Sequence, residues 1–221
     1  MNPSLQFAAE VPEAWLDLPL DADTPHTWVE NTLVARLSPD ADPEATRVLV
    51  DAWTGTIEDI RSDRQQPTSV TAAAWALCPA LAEAREPVEP ADLIPVTVAR
   101  LEAQHWTDTR EDFIDGVVVP DAARFREPTI SDLDEGTLPW TRIEQTVLTP
   151  AGQTESDPTG TAAPTADESV VSSSLVYVAE IGEETLAVVS AWFENPAHLV
   201  LFGDTVDSAV RSLRFSSDPA A

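Results

Sequence analysis

Hydrophobic side chains recur along this chain with two periods. Leu5, Phe7, Ala9 and Val11 alternate with Gln6, Ala8 and Glu10, the pattern of a strand with one buried face. Pro12-Glu13-Ala14-Trp15 then turns the chain into a short segment, Trp15 to Leu18. Thr24-Pro25 has the form of an N-cap with proline at the first helical position. Trp28, Val29, Thr32, Leu33, Arg36 and Leu37 follow at helical spacing, which predicts a helix over 25–37. The next helix is the plainest in the sequence. Asp42 caps it, Pro43 takes the first position and Glu44 suits the positive end of the dipole. Ala45, Val48, Leu49, Ala52, Trp53, Ile57 and Ile60 line one face, while Arg47, Asp51, Glu58, Asp59 and Arg61 fall elsewhere. Gly55 inside this helix costs about 1 kcal/mol relative to alanine.

Strand signals dominate the rest. Ser69 to Leu77 is rich in Val, Thr, Ala and Trp and reads as a strand ended by Pro79, although its alanines leave a helix open. Ile94, Val96 and Val98 alternate in a strand expected over 94–101; Thr107 to Phe113 suits a short helix, and Val117-Val118-Val119 a strand ended by Pro120. Trp140 to Leu148 is a further strand. Val170 to Glu180, with Leu175, Tyr177 and Ala179 on one face, turns at Gly182-Glu183 and returns as Thr185 to Phe193. After Asn195-Pro196 comes an apolar stretch, His198 to Phe202. Asp204 is then positioned to cap a last helix carrying Val206, Ala209, Val210 and Leu213, with Arg211 and Arg214 in its final turns. Residues 151–169, AGQTESDPTGTAAPTADES, hold no large apolar side chain and read as a disordered insertion. Hairpins with a few helices imply the α+β class: an antiparallel β-sheet with helices packed on it, as a single domain over 1–221.

Charge narrows the partners. Thirty-nine acidic residues stand against 12 basic ones, all arginine, for a formal charge of -27. Such a surface repels nucleic acid and anionic membranes, so neither is expected as a partner, and it leaves a protein partner open. The acids run from Glu10 to Asp218, which favours general solubility or a salty or high-GC host over one acidic docking face. The sequence leaves the oligomeric state open. Met1 is followed by Asn2-Pro3-Ser4 with no basic or apolar leader pattern, and Cys78 is the only cysteine, so a cytoplasmic location is expected.

Much chemistry is excluded by composition. With no lysine there is no P-loop lysine and no Schiff base; no two of the seven glycines lie within four residues, which removes G-x-G-x-x-G and G-x-S-x-G. His26, His105 and His198 form no zinc motif with one cysteine. Asp132, Asp134, Glu135 and Gly136 resemble a calcium loop, but glycine falls one place early and Ile143 stands where the closing glutamate belongs. Asp21, Asp23 and His26 are explained by helix-start chemistry. Cys78 lacks a basic neighbour in sequence and is expected to be a buried, inert thiol. The sequence therefore assigns no catalytic residue, no cofactor-binding residue and no metal ligand. Of Trp15, Trp28, Trp53, Trp75, Trp106, Trp140 and Trp192, most are expected to anchor the core, and any left exposed to mark an interaction patch.

The opening FAAEVPEAWLDLPLD, the middle IPVTVARLEA and the ending LVYVAEI…LAVVSAWF…DTVDSAVRSLRF resemble uncharacterised acidic proteins of high-GC actinobacteria. The opening and ending also resemble the PsbP-like and LpqN-like α+β fold. That resemblance implies an adaptor or accessory role, in some cases near type VII secretion genes, and transfers no catalytic residue. The expected function is a non-enzymatic cytoplasmic interaction protein, an accessory or chaperone-like factor. The alternatives are an enzyme or small-ligand binder with a site assembled in space, and a structural or assembly component of a phage-like particle. An apolar groove with exposed tryptophan favours the first. A deep pocket holding His105 or His198 beside a carboxylate favours the second, and a flat self-contact the third.

Overall fold

The computed structural model describes residues 6–21, 24–82, 88–118, 124–133, 136–150 and 169–215. The 151–169 segment lies outside the described residues but for Ser169, which opens a strand.

One seven-stranded sheet organises the chain, every neighbouring pair antiparallel. Its strands are β2 (Trp15–Asp17), β3 (Ser69–Leu77), β4 (Thr97–His105), β5 (Arg124–Leu133), β6 (Trp140–Pro150), β7 (Ser169–Gly182) and β8 (Thr185–Phe193), in the order β2-β3-β4-β8-β7-β6-β5. A separate two-stranded ribbon joins β1 (Phe7–Ala8) to β9 (Arg214–Phe215). The helices are α1 (Pro25–Thr32), α2 (Pro43–Ser62), α3 (Arg110–Val117) and α4 (Pro196–Ser212). The class is α+β, as the patterning implies.

Because successive strand residues point to opposite faces, each strand feeds two cores. Trp75, Leu77, Leu101, Leu175, Tyr177, Val189 and Phe193 face α4 and the β1–β9 ribbon. Ala74 and Ala76 face the other way, where α1 and α2 bring Val29, Leu33, Leu49, Trp53, Ile57 and Ile60. Farther along that second face, α3 lays Phe113 and Ile114 on Ile143, Val176, Val178, Leu186 and Val188.

Several boundaries differ from expectation. The first strand is short: Phe7 and Ala8 pair with Phe215 and Arg214, while Ala9 and Val11 pack on the core without a ladder. Helix α1 stops at Thr32, and Val34–Arg36 tightens into a 3₁₀ turn. Strand β4 begins at Thr97, since Pro90–Leu93 is a 3₁₀ turn, and runs on through Glu102 and Gln104 to His105. The expected strand at Val117–Val119 is an error within the described residues. A capping box between Thr109 and Asp112 starts α3, and Val117 is its last residue; Val119 lies outside them. Strand β5 has no apolar period to mark it in the sequence: pairing to β6 holds it, seven of its ten residues are exposed and only Leu133 is buried. The β7–β8 turn is Glu183-Glu184, one residue later than expected, since Gly182 still pairs with Thr185.

The largest correction concerns the last helix. It starts at Pro196, with the Asn195 side chain accepting the Ala197 N–H at 3.0 Å, and spans 17 residues. Asp204 is interior to it. The apolar stretch His198 to Phe202 is its first half, and the chain enters it by the same cap-then-proline chemistry as α2. Leu213 closes it, buried in the sheet core as its place in the stripe requires.

Candidate functional site

The stripe on α2 is wider than the core can cover. Leu49, Val50, Trp53, Ile57 and Ile60 are buried. Ala45, Val48 and Ala52 lie on its flank, and there they form one wall of an open groove of about 420 Å³. The opposite wall is Pro90, Ala91, Ile94 and Pro95, and Trp53 and Leu49 lie between the two. Val48 is 55% exposed and Ile94 60%, so two large aliphatic side chains on facing walls stand in water. Among the described residues Asp42 and Glu44 are the charged ones in the lining, both at the N-terminal end of α2.

Both walls are held firmly. The Trp53 indole N–H donates to the Leu93 carbonyl at 3.0 Å, which pins the 3₁₀ turn to the helix. The Asp92 carboxylate accepts the Glu89 N–H at 3.0 Å and fixes the entry to that turn. On the other side the Asp42 carboxylate accepts the Ala45 N–H at 3.1 Å, and Arg47 bridges Glu44 at 2.6 Å and Asp51 at 3.0 Å. A groove formed before its occupant arrives loses little entropy on binding.

A second constellation sits on the other face, under α4. Asp207 is 8% exposed. Its Oδ1 accepts from the Tyr177 hydroxyl and from Arg142 Nε, the latter at 3.0 Å. Arg142 Nη1 also donates to Glu144 Oε2 at 3.1 Å, and Arg126 donates to the other Glu144 oxygen and, through Nε, to Thr146 Oγ1 at 3.1 Å. The chain of contacts thus runs from a wholly buried tyrosine to a half-exposed arginine. Burial pushes the Tyr177 phenol well above its usual pKa, and the Asp207 charge pushes the same way. Burial also opposes the charge of Arg142, but Asp207, then Tyr177 and Glu144, outweigh it and hold the guanidinium above its ordinary value. Every carboxylate here already has a donor, so the geometry is that of a lock between α4 and strands β6 and β7.

The residues singled out in the sequence are scattered. His26 stands 3.5 Å from Glu30 on the surface of α1. His105 meets the Glu184 carbonyl at 3.1 Å across the end of β4, and His198 packs on Phe202. Asp132 lies exposed in β5; Asp134 and Glu135 lie outside the described residues. Among the described residues no three His, Cys, Asp or Glu groups gather as a metal site. Cys78 is wholly buried with its thiol against the Leu93 carbonyl, and burial pushes its pKa up to about 12. Trp15, Trp53, Trp75 and Trp140 are buried, and Trp192, 46% exposed, stands away from the groove lining. The groove itself was missed, although its signal lay in the stripe: Ala45, Val48 and Ala52 extend the apolar face past the residues needed for packing. No helix among the described residues is long and apolar enough to cross a membrane.

No protein-family model matches the chain, and no curated protein matches it.

Proposed function

We propose that this is a non-enzymatic interaction protein, an accessory or chaperone-like factor, and that the groove beside α2 receives an apolar segment of a partner protein. The observation that carries this is the pair Val48 and Ile94, exposed on facing walls of a groove whose floor is Leu49 and Trp53. Exposed aliphatic side chains around a concave site mark a binding surface. A cytoplasmic setting belongs to the same reading, and a single buried free thiol suits a reducing compartment. The resemblance to PsbP-like and LpqN-like accessory proteins, and an association with type VII secretion, are parts of this proposal that point the same way.

A second reading draws on size alone: about 420 Å³ is within the range of small-molecule sites, so the occupant could be a small apolar ligand. Site-specific photo-crosslinking in the native host separates the two. A photoreactive side chain at Val48 or Ile94 should yield a protein-sized adduct, and the same group at exposed Ser208 on α4 should not. An adduct of small mass supports the ligand reading. No adduct at either groove position, or the same adducts at Ser208, refutes the groove as the working surface.

A further inference from the structure

We infer that the groove's occupant is an amphipathic helix carrying basic residues, seated with a cationic end at Asp42 and Glu44; this rests on the proposed function above. The first argument concerns backbone. From Ala45 onward the α2 wall spends its N–H groups inside the helix or on the Asp42 cap. In the other wall Pro90 and Pro95 have no N–H, the N–H groups of Asp92 and Ile94 bond to Glu89 and Ala91 at 3.0 and 3.4 Å, and the Leu93 carbonyl is taken by Trp53. Among the described residues no strand edge lines the groove, so an extended peptide would find no ladder there and would bury unpaired backbone groups. A helix closes its own hydrogen bonds and brings only side chains. The groove also has the right length, since Asp42 to Thr56 spans about 21 Å at about 1.5 Å per residue.

The second argument concerns charge. Among the described residues the lining contains two carboxylates and no cation; Asp42 caps α2, and Arg47, outside the lining, bridges Glu44 at 2.6 Å. Glu89 and Asp92 belong to the turn that forms the other wall, and Arg47 is shared between Glu44 and Asp51, so carboxylates outnumber this arginine within a chain of formal charge -27. Lysine or arginine flanking the apolar face of the incoming helix meets complementary charge, and an acidic helix meets repulsion. The anchors at i, i+3, i+4 and i+7 would pack on Val48, Ala52 and Ile94.

Three labelled synthetic peptides of about 16 residues, long enough to hold helix in water, test this by fluorescence anisotropy. One carries leucine at helical spacing with lysine elsewhere, the second has glutamate for lysine, and the third has a central proline in the lysine sequence. The lysine helix should bind at least about tenfold more tightly than either of the others. Val48→Glu and Ile94→Glu, on separate walls at exposed positions, should each weaken it about tenfold, although both add negative charge and would strengthen a merely electrostatic attraction. Asp42→Asn with Glu44→Gln, which keeps a capping side chain, should narrow the gap between lysine and glutamate helices. Equal binding of those two helices, lost on Val48→Glu, overturns the cationic occupant and leaves the groove reading standing. Equal binding of the proline peptide overturns the helix. Unchanged binding to both wall variants overturns the groove itself. Saturable binding of a fluorescent fatty acid, weakened by Val48→Glu, when none of the three peptides binds replaces the inference with the small-ligand reading.

Discussion

Asp207 is the perturbation that best tests how α4 is held. Its Oδ1 accepts two hydrogen bonds at 8% exposure, from the Tyr177 hydroxyl and Arg142 Nε. Hydrogen bonds to a charged group contribute roughly 1.5–3 kcal/mol each. Asp207→Ala removes both and leaves the wholly buried Tyr177 hydroxyl without this acceptor, whereas Arg142 keeps Glu144. The expected loss is therefore about 3–5 kcal/mol, the range for breaking a buried ion pair. Tyr177→Phe alone should cost about 1.5–3 kcal/mol, and it should cost less in an Asp207→Leu background, where the hydroxyl has lost its carboxylate acceptor and keeps only Arg142 beside it. The double-mutant cycle should give a coupling within the roughly 0.5–3 kcal/mol found for residues of one network. Urea unfolding followed by tryptophan fluorescence measures it, with unchanged m-values as the check that the unfolded state is the same. A loss under about 1 kcal/mol for Asp207→Ala, or a coupling indistinguishable from zero, would show that α4 is held by its apolar face alone and that the network is incidental.

Two further predictions follow from burial. Leu213 is 2% exposed in the core shared by α4 and the sheet, so Leu213→Ala should cost roughly 2–5 kcal/mol in the same assay, and truncation after Gly203 should abolish cooperative unfolding; a cooperative, nearly full-strength transition of the truncated chain would refute this. The Cys78 thiol is raised from 9.0 to about 12 in the folded state, so its contribution is intact below about pH 9 and is lost as pH rises toward about 12. Tyr177, also raised, adds to the loss in the same direction. Stability should fall across that alkaline window and fall less steeply in Cys78→Ala; an identical slope in the variant removes the thiol from the account.

Local signals carried the elements that close their own hydrogen bonds or bury one face. Asp42-Pro43 and the stripe on α2, the alternation in β7 and β8, and the valine- and alanine-rich β3 were all legible, because helix caps and period-2 burial are written in neighbouring residues. Charge and missing lysine excluded whole classes of chemistry for the same reason: they concern atoms that are absent. What required tertiary structure was whatever depends on a distant partner. Strand β5 exists because β6 lends it a ladder. Val117 is helical because the Thr109–Asp112 box outweighs a three-valine preference for strand. Arg142, Tyr177 and Asp207 lie far apart in sequence, and only the register of β6 with β7 and the docking of α4 bring them together. The groove falls between these cases. Its α2 wall was written in the stripe, but Pro90–Pro95 faces it only because Trp53 and Leu93 are hydrogen-bonded across 40 residues of chain. Sequence determined that α2 had more apolar surface than a core requires; the fold decided that the excess would line an open groove.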